Sequence, residues 1–260
     1  MNWNKAKTIL IIFFLLVNTF LFFNLITENS NENYVKDETV GDTIKVLENN
    51  GISIESKLIS RKNHSVDTFE ADNIIKDYDE FAKKILGEDC EKISDNIYSG
   101  KQGSVEYFGD KFVITVSPEK NIILNEESCV SLLNTLGIFV KDYEYKDGIF
   151  KKKVNNLEVF SSEIIFEKSS DGIVKISGIW FENNSEGSYS HTKLKPITSV
   201  LIDFISAEGR PDGNVEISDL NLGYMIYETK VYHKSIVPIP VWELELSDKK
   251  VIYMDARSVE

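Results

Sequence analysis

Apolar positions divide the chain into one unbroken run and a long series of short periodic segments. Residues 9–26, ILIIFFLLVNTFLFFNLI, are apolar on every side of a helix. Such a helix would be about 27 Å long, close to the ~30 Å of a bilayer's hydrocarbon core. The run therefore predicts a transmembrane helix at 9–26. Lys5 and Lys7 precede it, and Glu28, Glu32, Asp37 and Glu38 follow. That asymmetry places residues 1–8 in the cytoplasm and the C-terminal remainder outside it, as a single-pass cell-membrane protein. Residues 27–30 read TENS, with no small-residue cleavage pattern, which favours an uncleaved anchor over a secretory signal peptide. Asn18 interrupts the run near its middle. Its amide either bonds within its own helix or pairs with a partner helix, with Thr19 and the flanking rings, Phe14 among them, as the contact surface.

After a polar linker at 27–39 the pattern becomes periodic. Val40, Ile44 and Leu47 share a helix face that Gly51 would close. Ile74, Tyr78, Phe81, Ala82, Ile85 and Leu86 predict a second helix from about Ala71 to Leu86, ended by Gly87. Asn125 followed by Glu126 and Glu127 marks a third helix start, with Cys129, Leu132, Leu133 and Leu136 as its stripe. A fourth begins at Pro196 and carries Ile197, Val200, Leu201, Phe204 and Ile205. Between the helices lie short alternating segments, with hairpin signals at Asp147-Gly148 and Asp171-Gly172. Near the C-terminus, Trp242, Leu244 and Leu246 alternate with Glu243 and Glu245, just after Pro238 and Pro240. The prolines place that segment at an edge or at the start of a strand, with Trp242 turned into the core. No βαβ alternation runs through the chain. The pattern thus predicts an α+β protein: a transmembrane helix, then two lobes of antiparallel sheet with helices packed on one face. The lobes span 40–120 and 121–260.

Charge narrows the partners. Lys and Arg total 29 against 42 Asp and Glu, a formal charge of −13. A surface that acidic repels phosphate backbones, so no nucleic-acid role is expected. The bilayer, through residues 9–26, is the expected contact instead. Cys90 and Cys129 either pack as free thiols or form a bridge; Cys129 lies on an apolar helix stripe, where a free thiol behaves as a small hydrophobe.

The search for chemistry returns no catalytic residue, no metal ligand set and no cofactor site. The chain lacks a G-x-S-x-G elbow, an S-x-x-K motif, a P-loop and a dinucleotide fingerprint. His64, His191 and His233 are scattered, with no second histidine at metal-ligand spacing. Glu126/Glu127 reads as a helix N-terminus and Glu243/Glu245 as the wet face of a strand.

Two stretches carry a resemblance. At the N-terminus these are Trp3, Lys5, Lys7, Ile9, Phe13, Phe14, Asn18, Phe20 and Leu21. Toward the C-terminus they are the helix 197–205, Leu222-Gly223-Tyr224, Pro240-Val241-Trp242 and the strand before Asp255-Ala256. In these the chain resembles the YycI (WalI) family of Firmicutes, with a C-terminal region similar to YycH/YycI-type domains. The resemblance implies a non-enzymatic accessory regulator. Its partners would be a WalK-like sensor histidine kinase, part of a two-component system that controls cell-wall metabolism, and a YycH-like membrane protein. Contact would run through the transmembrane helix, with Asn18, Phe14, Thr19 and Leu21 as partner-binding residues, and through the extracytoplasmic part. The C-terminal features also resemble PepSY-type modules, which leaves a binding or inhibitory module without a kinase partner as the alternative.

Overall fold

The computed structural model describes residues 7, 11–22, 34–75, 77–117, 123–183, 190–227, 233 and 235–258. Its helices are α1 (residues 11–22), α2 (Asp37–Asn49), α3 (Tyr78–Leu86), α4 (Glu126–Thr135) and α5 (Ile197–Phe204). Its strands begin with β1 (Ile52–Ile54), β2 (Ser65–Thr68), β3 (Ala71–Asn73), β4 (Glu91–Ser94), β5 (Ile97–Gly100) and β6 (Gly103–Phe108). They continue with β7 (Lys111–Val116), β8 (Tyr143–Lys146), β9 (Ile149–Val154), β10 (Leu157–Val159), β11 (Ile164–Lys168) and β12 (Val174–Ile179). The remaining strands are β13 (Phe181–Asn183), β14 (Ser190–Lys193), β15 (Val215–Met225), β16 (Ser235–Ile236), β17 (Ile239–Leu246) and β18 (Val251–Asp255).

The chain forms two compact units, each assembled from separate stretches. One takes residues up to 65, 193–220 and 244–260; the other takes 66–192 and 221–243. In the first, β1 runs parallel to the start of β15, with Ile52 opposite Val215 and Ile54 opposite Ile217. Helices α2 and α5 pack together, and Val40, Leu47, Val200, Leu201 and Phe204 are buried. Pro196 stands at the N-cap of α5, where its missing N–H removes no helical bond.

The second unit is built on a sheet of order β15-β10-β9-β11-β12-β7-β6-β5-β4, with β8 also on β9. Turn chemistry sets much of it. Asp147 and Gly148 adopt φ of 51° and 86° between β8 and β9, the left-handed pair a tight hairpin needs. Asn155 and Asn156 do the same between β9 and β10, at 51° and 65°. On this sheet lie α3 and α4, sharing one core through Phe81, Ile85, Cys129 and Leu133 with Tyr107, Phe112, Ile114, Phe150 and Ile176. The α4 start is a capping box: Asn125 Oδ1 accepts from Ser128 N at 2.9 Å and Ser128 Oγ accepts from Asn125 N at 3.1 Å. Cys90 and Cys129 are both free thiols.

The structure corrects the expected fold class. The protein is mostly a large antiparallel sheet with parallel pairings mixed in, since β15 runs parallel to both β1 and β10. Strands β7 and β12, on either side of residue 120, pair over six positions. These pairings join residues far apart in sequence, and a reading built on local hairpin signals does not see them. Among the described residues no helix is long and apolar enough to cross a membrane. This overturns the predicted transmembrane helix, the bilayer contact through 9–26 and the single-pass localisation drawn from them. Residues 9, 10 and 23–26 of the predicted span lie outside the described residues, as do Trp3, Lys5 and linker residues 27–33.

One further difference is local. Ala71–Asn73 is strand rather than helix, because β3 is paired on both sides, by β13 and β16. The helix begins only where Asp77 Oδ1 accepts from Asp79 N and Glu80 N, at 2.8 and 3.1 Å.

Tyr224 anchors its part of the second unit: its hydroxyl donates to Asp67 O at 2.7 Å and its ring meets Phe69 edge-on at 5.1 Å. Burial pushes its hydroxyl up to about 12 from 10.0, and burial raises Tyr107 and Tyr143 as well. A raised folded value means stability that is complete below the unfolded value and lost as pH climbs toward the folded one. Stability should therefore fall between pH 10 and 12. Tyr224→Phe should cost about 1 kcal/mol near neutrality by losing the hydrogen bond. It should also reduce the alkaline loss, as measured by urea unfolding at a series of pH values; an unchanged alkaline slope would contradict the assignment.

Candidate functional site

The second unit holds a half-open cavity of about 320 Å³ at the N-terminal end of α3, lined by Ile74, Ile75, Asp77, Glu80, Phe81, Lys84 and Trp180. Its construction follows from the elements around it. Strand β3 ends at Asn73, whose side-chain oxygen accepts from Ile75 N at 3.0 Å and turns the chain toward α3. The Asp77 cap fixes the first turn of the helix. Glu80 and Lys84, one turn apart, then line the rim, while Phe81 is buried between them and the sheet. Trp180 follows β12, and its carbonyl accepts from Ile74 N at 3.3 Å.

The floor is apolar: Ile75, Phe81 and Trp180 are buried, with the Phe81 and Trp180 ring centroids 6.2 Å apart. Its polar atoms are already engaged. Trp180 Nε1 donates to Phe139 O at 3.2 Å, and Lys84 Nζ donates to Gly137 O at 3.3 Å. Gly137, at φ 71°, allows that close approach, because a Cβ there would lie 2.3 Å from Lys84 Cε. Asp77, Glu80 and Lys84 are exposed, so the mouth carries two carboxylates and one tethered ammonium. This arrangement can seat an apolar group. It offers neither a nucleophile beside a base nor a cation site.

A second cluster in the same unit went unread in the sequence. Asp110 is buried; its Oδ1 accepts from Asn73 Nδ2 at 3.1 Å and from His233 N at 2.8 Å, and its Oδ2 lies 3.0 Å from His233 Nδ1. A carboxylate orienting an imidazole is the supporting half of a catalytic triad. Ser235, the nearby hydroxyl in sequence, instead donates to Glu70. His191 pairs similarly with Asp67 at the surface, at 3.0 Å, and His64 meets Ser60 at 3.1 Å. A third buried polar group is Lys152, whose Nζ donates to Phe181 O at 3.0 Å and lies 5.0 and 4.8 Å from the Tyr143 and Phe181 ring centroids. Burial pulls its ammonium below the usual lysine value. Among the described residues no group of three or more His, Cys, Asp or Glu is placed to hold a metal ion.

The partner-binding residues expected from the sequence, Phe14, Asn18, Thr19 and Leu21, lie in the unit that does not hold the cavity. Phe14, Asn18 and Leu21 share one face of α1 and are exposed. Thr19, also exposed, spends its hydroxyl on Leu15 O at 2.8 Å, and Phe14 meets Phe13 edge-on at 6.4 Å. Near the C-terminus, Trp242, Leu244 and Leu246 are buried and Glu243 and Glu245 half-buried, the register that the alternation predicts. Pro238 lies between β16 and β17, and Pro240 is the second residue of β17.

The chain matches no protein-family model. No curated protein matches it. Among solved structures it is similar to the crystal structure of an uncharacterized protein from Eubacterium rectale, with 13% identity, a TM-score of 0.42, and coverage of 80% of this chain and 89% of that one.

The cap and the rim separate energetically. Asp77→Ala should lose about 1 kcal/mol of stability, because two N–H groups lose their acceptor. Glu80→Gln should stay within about 0.5 kcal/mol, as an exposed substitution. Chemical denaturation of both variants checks this, and equal losses would show that Glu80 is a structural member of the helix start.

Proposed function

We propose that this protein is a non-enzymatic accessory regulator that acts through protein contacts, with a WalK-like sensor histidine kinase as its target and a YycH-like protein as a further partner. The resemblance at the two ends of the chain supplies the partners. The observation that carries the mode of action is the α3 cavity, where buried rings form a floor, the floor's polar atoms are already satisfied, and charge is confined to the rim. A surface of this kind suits an anchor side chain from another protein rather than a reacting substrate. The regulatory contact is assigned to the folded units, and a contact made within a bilayer is dropped.

The test is direct. Autophosphorylation of a purified WalK-like kinase should change several-fold on adding the full chain, in either direction. Ile74→Glu, which puts a charge on the half-buried wall of the cavity, should weaken the response by about ten-fold in effective concentration. Kinase activity that stays constant at saturating protein would overturn the regulatory reading.

A further inference from the structure

We infer that the α3 cavity recognises a protein segment presenting one large apolar or aromatic side chain flanked by lysine or arginine. This rests on the reading that the protein works through protein contacts, and it names the chemistry of the partner.

Size gives the first argument. A volume of about 320 Å³ stands at the lower limit of small-molecule sites, roughly 300–1,000 Å³. It is enough for one large anchor side chain. Chemistry gives the second. Orientation of a small polar ligand needs converging donors and acceptors, but the indole N–H on the floor is given to Phe139 O and the lysine at the rim to Gly137 O. What remains is an apolar pocket that pays for burial of a hydrocarbon or ring and for little else.

Charge gives the third. Asp77 and Glu80 stand at the mouth, and Glu80 has no ion pair among the described residues. The carboxylate between them in sequence, Asp79, is already taken by Tyr98 and Lys92. The lining thus carries two carboxylates against the one ammonium of Lys84, an excess of negative charge within a chain of formal charge −13. An approaching basic segment is attracted and an acidic one repelled.

The experiment uses the full chain and short fluorescent synthetic peptides, read by anisotropy. One peptide carries a central Phe between lysines, a second replaces the Phe with Ala, and a third replaces the lysines with glutamates. The Phe/Lys peptide should bind; the Ala and Glu versions should each bind about ten-fold more weakly. Glu80→Lys should weaken the Phe/Lys peptide by about three- to ten-fold and flatten its salt dependence. Asp77→Asn keeps a capping side chain and removes one charge, so it should give a smaller loss in the same direction while remaining folded. Equal binding of the Phe and Ala peptides, equal binding of the Lys and Glu peptides, or a Kd weaker than about 1 mM for all three would overturn the inference. The two readings fail separately. A kinase response that survives Ile74→Glu and Glu80→Lys sinks the cavity as the contact and leaves the regulator standing. Peptide binding without any kinase response does the reverse.

Discussion

The pairing of β7 on both of its edges is the constraint on which the second unit depends. Residues 111–116 are matched one for one with β6 on one side and with β12 on the other. Phe112, Ile114 and Val116 are buried, so one face of the strand lies wholly in the core. Glycine makes the close approach of β6 possible: a Cβ on Gly103 would sit 1.8 Å from Thr115 O. Tyr107 and Phe112, opposite each other across β6 and β7, then receive α3: Tyr78 stacks on Tyr107 at 4.0 Å, and Phe81 lies 6.3 Å from Phe112. Once α3 is seated, Phe81 meets Trp180, and the cavity floor exists. The site is thus a consequence of strand register, and a one-residue slip in β7 would turn Phe112 away from the helix.

Two buried polar groups of this unit, Asp110 and Lys152, are each held by hydrogen bonds to neighbouring backbone. Asp110 follows Gly109 in the turn between β6 and β7 and ties that turn to Asn73 at the end of β3 and to the backbone at residue 233. Lys152 alternates inward on β9, and its ammonium is met by a carbonyl and two ring faces rather than by a close carboxylate. Desolvation then dominates its titration, and an isolated buried charge is costly unless its partners are well placed. Both groups therefore fix where neighbouring backbone sits, Asp110 at residue 233 and Lys152 at Phe181 O.

What the sequence revealed is what local chemistry encodes. Asn125 with Glu126 and Glu127 announces α4, Pro196 announces α5, and Asp147-Gly148 announces a type of turn that only a few residues tolerate. The alternation around Trp242 reports the register of β17, because one buried face repeats every second residue. The parallel alignments of β15 leave no such mark, since a parallel partner can lie more than 160 residues away, as Ile52 and Val215 do. The start of α3 was misplaced because Ile74 fits a helical stripe, whereas the β3 pairing partners that claim residues 71–73 are distant in sequence. Asp110 and His233 were invisible as a pair for the same reason. The cavity was half legible: its floor residue Phe81 was read as core, and nothing in the spacing of Ile74 and Trp180 says that the space between them stays open. The apolar run at 9–26 points to a membrane span through its length and flanking charges, whereas among the described residues no helix is long and apolar enough to cross a membrane.

The division of labour within the cavity follows from how the two kinds of contact scale. Apolar burial on Phe81, Ile75 and Trp180 is short-ranged and indifferent to salt, so it acts on how long a bound segment stays. The carboxylates of Asp77 and Glu80 act over about a Debye length, roughly 8 Å at physiological ionic strength, so they act on which segments arrive. A partner chosen by the rim but lacking an anchor would come and go quickly. A partner with an anchor but the wrong charge would dock slowly, whatever it gains once seated. Selectivity in such a site is carried jointly, and the structure places the two determinants on the same stretch of α3, with Glu80 next to Phe81 and Lys84 bonded to Gly137 O.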